Sequence, residues 1–203
     1  SAYVYQRSGS VWTEQAHLLS SDGATEDLFG RAVALSSDGN IALIGADFKV
    51  VNGNTRHGAA YIFTRTGAVW SQQTRLTDIN GDEYSWFGAS LALSADGRTA
   101  LIGTDSSGAI VFTASGGIWT QQTFLTDPNA YIGFGKEIAL SADGRIALIA
   151  AGFTFKRCGN TWLPLPRLQP DDSPSGFGYA VSLSGDGTIA LIGAPFAKVG
   201  DNQ

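Results

Sequence analysis

Three observations predict an all-β chain, a β-propeller built of four-stranded antiparallel blades. A unit carrying the same four landmarks in the same order occurs four times along the 203 residues. Within each unit, short β-branched or alternating runs are separated by glycine turns, four strands to every 40–60 residues. No window keeps a 3.6-residue apolar period before one of the 26 glycines interrupts it, which excludes helices.

The first landmark is a tryptophan after a glycine-containing turn: Trp12, Trp70, Trp119 and Trp162. A Phe-Gly pair follows at Phe29-Gly30, Phe87-Gly88, Phe134-Gly135 and Phe177-Gly178. Next comes Leu-Ser-x-Asp-Gly, starting at Leu35, Leu93, Leu140 and Leu183. An apolar run then closes each unit, beginning at Ile41, Ala100, Ile146 and Ile189. The Asp of that block recurs at spacings of 58, 47 and 43 residues, yet Phe to Asp is always nine. Length variation is therefore confined to the connections, where loops absorb it. The landmarks divide the chain at 2–46, 60–103, 109–150 and 153–195.

Each element can be justified in order from the second unit. Tyr61-Ile62-Phe63-Thr64 is aromatic and β-branched, and Thr66-Gly67 turns it into a strand from Trp70 to Leu76. From Phe87 to Ser94 large and small residues alternate, which predicts an extended run with Phe87, Ala89, Leu91 and Leu93 on one face. Asp96-Gly97 is a tight turn, because glycine accepts a positive φ without steric cost. The return strand, Thr99 to Gly103, is apolar on both faces, as a strand lying between two neighbouring layers must be. One such sheet cannot bury both faces alone, so the units are expected to stack radially. The four landmark tryptophans are expected to be blade-packing residues.

Composition narrows the function. Apolar residues make up 43% and charged residues 15%, so disorder is excluded. A net charge of −5 argues against a nucleic-acid partner or an anionic membrane surface. The longest apolar stretch, Ile146 to Phe153, is far below the ~20 residues of a spanning helix, so no membrane insertion is expected. The single cysteine, Cys158, excludes an internal disulfide and a cysteine-based zinc site.

Phe29-Gly30 through Gly45-Ala46, and Phe177-Gly178 through Gly193-Ala194-Pro195, resemble FG-GAP repeats, the unit of the integrin α-subunit propeller and its bacterial relatives. Gly58-Ala59-Ala60-Tyr61-Ile62-Phe63 with Trp70-Ser71-Gln72-Gln73 is similar to the bacterial short-hairpin variety. The second copy departs from the pattern at Gly103-Thr104-Asp105 and the third at Ala150-Ala151-Gly152. The resemblance implies a strand order running from the Phe-Gly strand innermost, through Gly-Ala-Pro and Tyr-Ile-Phe, to Trp-Gln-Gln outermost. On that register the chain opens with the outer half of a blade, closes with the inner half of another, and holds three whole blades between. The halves either zip into a four-bladed ring or mark a slice of a seven-bladed propeller. The methionine-free sequence favours the slice, whose neighbouring blades would then be partners.

The resemblance also implies calcium in a long hairpin loop, but here that loop is only Ser36-Ser37-Asp38-Gly39-Asn40 and its counterparts, each with one carboxylate. Calcium takes six to eight oxygens. Asp38, Asp96, Asp143 and Asp186 are therefore turn formers, and no cofactor is expected. Asp78, Asn80 and Asp82 place oxygens at i, i+2 and i+4 but lack the rest of a calcium loop, which leaves them weak metal candidates.

No catalytic residue is identified. The two histidines lie outside any motif: His17 reads as a solvated strand residue and His57 as part of a surface loop in the insertion after Asp47. The ligand candidates are rim residues, Asp78, Asn80, Asp82, Tyr84, Trp86 and Tyr131, with Arg56 and His57 from the insertion on the same rim. Aromatic rings flanked by Asp and Asn suit a carbohydrate or protein ligand. The bland alternative for Trp86 is a plug between blades. The expectation is a non-catalytic, extracellular or cell-surface binding and adhesion module, of bacterial origin. The alternatives are a structural spacer without a ligand and a carbohydrate-active enzyme on a propeller. The latter is disfavoured because the strands nearest the axis offer only Arg31, Lys136 and Glu137 as charged groups.

Overall fold

A computed structural model describes residues 1–105, 108–127, 134–172 and 174–198. The first sheet pairs β1 (Ala2–Ser8) with β2 (Val11–Leu18). Three four-stranded sheets follow. The first is β3 (Val33–Leu35), β4 (Ile41–Ala46), β5 (Ala59–Thr66) and β6 (Val69–Leu76). The second is β7 (Ser90–Leu93), β8 (Thr99–Thr104), β9 (Gly108–Ser115) and β10 (Ile118–Leu125). The third is β11 (Ile138–Leu140), β12 (Ile146–Ile149), β13 (Phe153–Cys158) and β14 (Thr161–Pro164). A last pair, β15 (Ala180–Leu183) and β16 (Ala190–Gly193), completes the set. Strands neighbour one another in chain order and every pairing is antiparallel. Half a blade, three blades and half a blade is the division that the repeat register predicts.

The strands β3, β7, β11 and β15 contact one another in series and so lie innermost. Main-chain bonds stitch the hairpins that follow them. Ser37 N donates to Ala95 O, Ala95 N to Ala142 O, and Ala142 N to Gly185 O, at 3.0, 2.8 and 2.8 Å. These four residues share the x position of Leu-Ser-x-Asp-Gly, so one repeat position carries the blade-to-blade link.

Burial follows from the two-residue period of a strand. Leu43 faces Ile62, Phe87, Ile102 and Phe112 in one inter-blade cluster, while Ala42 and Ile44 face Leu18, Tyr61 and Phe63 in another. Leu101, Val111, Phe134 and Ile149 fill the third. Burying one such side chain contributes about 1.5–3 kcal/mol. Trp70, Trp119 and Trp162 pack against these clusters, as expected. Trp12 does not: no described sheet lies beyond β2 on that side, and the ring is 63% exposed.

The Phe-Gly segment corrects the predicted strand from Phe87. The ladder begins only at Ser90, because Trp86 and Gly88 both adopt positive φ, 47° and 94°. Phe87 instead bridges Gly58 of the preceding blade in a parallel pair. Gly88 is required twice over: a Cβ there would carry the strained φ and lie 2.5 Å from the Ala59 carbonyl oxygen. At the third repeat's departure, Ala150–Gly152 forms a short 3-10 turn, with Ala151 left-handed.

Candidate functional site

The four hairpin aspartates form one repeated turn. In each, the serine hydroxyl donates to an Asp carboxylate oxygen at 2.5–2.6 Å, and that oxygen also accepts the main-chain N–H two residues on. The serine oxygen in turn accepts the first N–H of the returning strand. The Ser36 hydroxyl bond, then the Asn40 N–H, hold the Asp38 carboxyl down to about 2, and Asp186 does likewise with Ser184 and Thr188. In Asp38 and Asp186 the second carboxylate oxygen is also engaged within the turn, by the Asn40 amide and the Thr188 hydroxyl. A cleft of about 690 Å³ beside Asp96, Asp143, Arg145 and Arg157 opens on this hairpin side of the blades.

Antiparallel meanders put the connections β4–β5 and β6–β7 at the other end. There the insertion 47–57 runs alongside the segment 78–87 as if it were a strand. Tyr84 N donates to Thr55 O at 3.1 Å, Trp86 N to Arg56 O at 3.0 Å and Phe87 N to His57 O at 3.0 Å. The structure therefore brings Arg56 and His57 to Asp78, Tyr84 and Trp86 across 21–30 residues of sequence. Arg56 lies over the Phe48 ring (4.7 Å) and the Tyr84 ring (5.8 Å), and Tyr84 lies 5.8 Å from Trp86. Arg56, Tyr84 and Trp86 all hold left-handed backbones, at φ 52°, 62° and 47°.

His57 is the clearest correction. It is 3% exposed rather than part of the loop surface, and its Nε2–H donates to Asp78 O at 3.0 Å, which leaves Nδ1 as a buried acceptor without a partner. Its role is to clamp the 78–81 turn. Asp78 Oδ1 is committed too, accepting from Asn80 N (3.0 Å) and Gln121 Nε2 (3.2 Å). Asp78, Asn80 and Asp82 line a separate cleft of about 420 Å³. Among the described residues no group of three His, Cys, Asp or Glu is placed to hold a metal ion. Tyr131 lies outside the described residues.

Arg56 and Trp86 line a different cavity, of about 470 Å³, with Arg31, Asp47, Asp105, Lys136 and Glu137. Arg31 and Lys136 each follow a Phe-Gly pair, so this cavity sits where three successive blades converge. Asp47 Oδ2 pairs with Arg31 at 3.1 Å, and Asp105 Oδ1 with Lys136 at 3.1 Å. The Asp47 side chain is only 2% exposed, and its Oδ1 has no hydrogen-bond partner. Burial first, and the charge of Asp105 second, push the Asp47 carboxyl up against the pull of Arg31. Burial also raises Glu137.

Asp47 and Asp105 are the residues that reading the sequence missed as site members. The signal was present: both occupy the third position of Gly-Ala-Pro, where the fourth repeat has Pro195. A second missed feature is buried Lys49, whose Nζ donates to Asp27 Oδ2 (2.9 Å) and to Asp22 O. Asp22 also accepts from Tyr61 and Arg75. Each Lys49 partner is satisfied, so this network anchors the 22–27 loop rather than offering a ligand site.

This geometry defines a blade-repeat propeller with a polar cavity on the rim opposite its Asp-Gly hairpins. The FG-GAP repeat family matches residues 12–63, and no curated protein matches the sequence. Among solved structures, the β-propeller domain of Cps50 (Swd1) from Myceliophteria thermophila is similar, with a TM-score of 0.65 at 11% identity. The likeness covers 96% of this chain and 60% of that one, so this chain spans about three-fifths of that structure's length. It speaks for the fold alone. The chain is therefore a β-propeller that carries an FG-GAP repeat at residues 12–63.

Proposed function

We propose that this propeller is a non-catalytic binding module of an extracellular or cell-surface bacterial protein, and that its ligand seats in the rim cavity beside Arg56 and Trp86. The supporting observation is strain gathered at one place. The residue before Phe-Gly is left-handed in each of the three repeats described there, Leu28 (φ 58°), Trp86 (φ 47°) and Gly176 (φ 78°), so the fourth repeat supplies glycine where the second supplies Trp86. A tryptophan where glycine would serve costs about 1–2 kcal/mol, and such strain persists where function requires the side chain. FG-GAP repeats are typical of extracellular proteins, which supports the location. No helix among the described residues is long and apolar enough to cross a membrane.

The test is an array of glycans and matrix proteins probed with this protein and with Trp86→Gly. Capture of a component by the first, reduced at least about tenfold for the variant, is the expected result. Capture of nothing, or capture indifferent to Trp86, refutes the assignment. One observation favours a second reading, a carbohydrate-active enzyme: two carboxylates, Asp47 and Asp105, line the same cavity, as such hydrolysis needs. Release of reducing ends from a captured glycan, abolished by Asp105→Asn, would establish it.

A further inference from the structure

The rim cavity joins three carboxylates, Asp47, Asp105 and Glu137, to three cations, Arg31, Arg56 and Lys136, so its formal charge is zero. Neither an anion nor a cation is drawn to it by net charge. Among the described residues two buried polar atoms there lack a hydrogen-bond partner, Asp47 Oδ1 and Asp105 Oδ1; the second is ion-paired with Lys136 at 3.1 Å, so Asp47 Oδ1 is the acceptor that still requires a donor. Around it the cations offer N–H donors, which require acceptors, and Trp86 supplies an aromatic surface on the same wall. A ligand matching all three must donate and accept within a few ångströms, be neutral, and present a flat apolar face.

We infer that the ligand of this cavity is a neutral saccharide, with one hydroxyl donating to Asp47 Oδ1, neighbouring hydroxyls accepting from Arg31 and Lys136, and the C–H face of the ring against Trp86. This rests on the binding-module reading above and names its ligand class. Vicinal hydroxyls supply the paired donor and acceptor that an Arg–Asp ion pair presents, and about 470 Å³ lies within the usual range of small-ligand pockets. An acidic sugar would set its carboxylate against the buried Asp47. A basic peptide side chain would face three cations.

The experiment passes the protein over immobilised neutral hexose and N-acetylhexosamine oligosaccharides, sialylated and sulfated glycans, and matrix proteins, with Asp47→Asn and Trp86→Gly in parallel. Retention on neutral glycans is expected to fall at least about tenfold in each variant, because a hydrogen bond to an ionised group or the stacking face is lost. It should change less than about twofold between about 50 and 500 mM salt, since screening acts on charge. Circular dichroism identifies an unfolded Asp47→Asn, in which case Trp86→Gly carries the comparison. Retention only on acidic glycans or only on protein, lost in Trp86→Gly, overturns the saccharide and leaves the rim reading standing. Neutral-glycan retention indifferent to both substitutions places the sugar elsewhere and overturns the inference. Retention of nothing overturns both readings.

Discussion

Replacing Trp86 by glycine should leave the protein almost as stable as it is, which would be anomalous for a tryptophan that plugs a gap between blades. A packed core tryptophan costs about 3–5 kcal/mol when truncated. Trp86 is half-buried, its ring tilted 58° against Tyr84, and its φ is 47°. Glycine at that φ recovers about 1–2 kcal/mol of left-handed strain and loses about 0.5–1 kcal/mol to its freer unfolded chain. Set against about 1–2 kcal/mol for half-burial of the ring, the sum centres on a loss of about 1 kcal/mol and does not exceed about 2 kcal/mol. Alanine gives up the ring and keeps the strain, so Trp86→Ala should fall about 1 kcal/mol below Trp86→Gly. Urea unfolding of the three proteins, compared at equal slopes, reads these differences directly. A loss above about 3 kcal/mol for Trp86→Gly, or alanine more stable than glycine, would show that the ring is structural and that the strain argument is wrong.

Gly88→Ala should destabilise by about 3 kcal/mol or more, since its Cβ meets the Ala59 carbonyl at 2.5 Å and the φ of 94° suits only glycine; chemical denaturation measures it. Asp27→Ala leaves the Lys49 ammonium buried with its closest carboxylate gone, and a loss of about 3 kcal/mol is expected in the same assay. The Asp38 carboxyl, held low by Ser36 and the Asn40 N–H, should titrate near pH 2 by NMR. Its depressed value means a stabilising contribution present above about pH 4 and lost as the pH falls toward 2. Ser36→Ala should move that midpoint upward, and an unchanged midpoint would refute the turn assignment. On the open face of β16, Leu191 is 74% exposed, so Leu191→Lys should reduce concentration-dependent association seen by sedimentation.

The fold was legible because propeller geometry is enforced by identical demands in every repeat. Leu43, Leu101 and Leu148 must each lie between two blades, and the Asp-Gly turns must each reverse a strand, so repetition itself reported the architecture. The rim was only partly legible, for the opposite reason: its residues come from two connections that share no pattern. Asp78-Ile79-Asn80 advertises a metal loop in sequence, but Asp78 is spent on its own turn and on Gln121. His57 carries no motif, yet a Cβ on Gly81 would approach its Nε2 to 2.8 Å, so the turn is built around the ring. Positive φ at Trp86 cannot be read from tryptophan, a residue that gives no turn signal. It becomes visible only by comparison with Gly176 at the same repeat position.

That comparison suggests where function resides in a repeat protein of this kind. The scaffold fixes Phe-Gly, the serine–aspartate turn and the apolar strand in every copy, so none of these can distinguish one part of the rim from another. The cavity is made from positions at which copies disagree. After Phe-Gly come Arg31, Ala89, Lys136 and Tyr179; at the third position of Gly-Ala-Pro come Asp47, Asp105, Gly152 and Pro195. The first two repeats place an acid where the fourth has proline, and each acid is then matched by a cation that follows a Phe-Gly pair, Arg31 in its own repeat and Lys136 in the next. Packing explains the glycines and leucines but not a carboxylate that is buried with one oxygen unused. Burying Asp47 that way costs stability in the absence of a ligand, and removing the cost by Asp47→Asn should raise the unfolding midpoint while weakening capture. Stability and binding moving in opposite directions would mark Asp47 as a residue held for its ligand, whereas a parallel loss of both would return it to the scaffold.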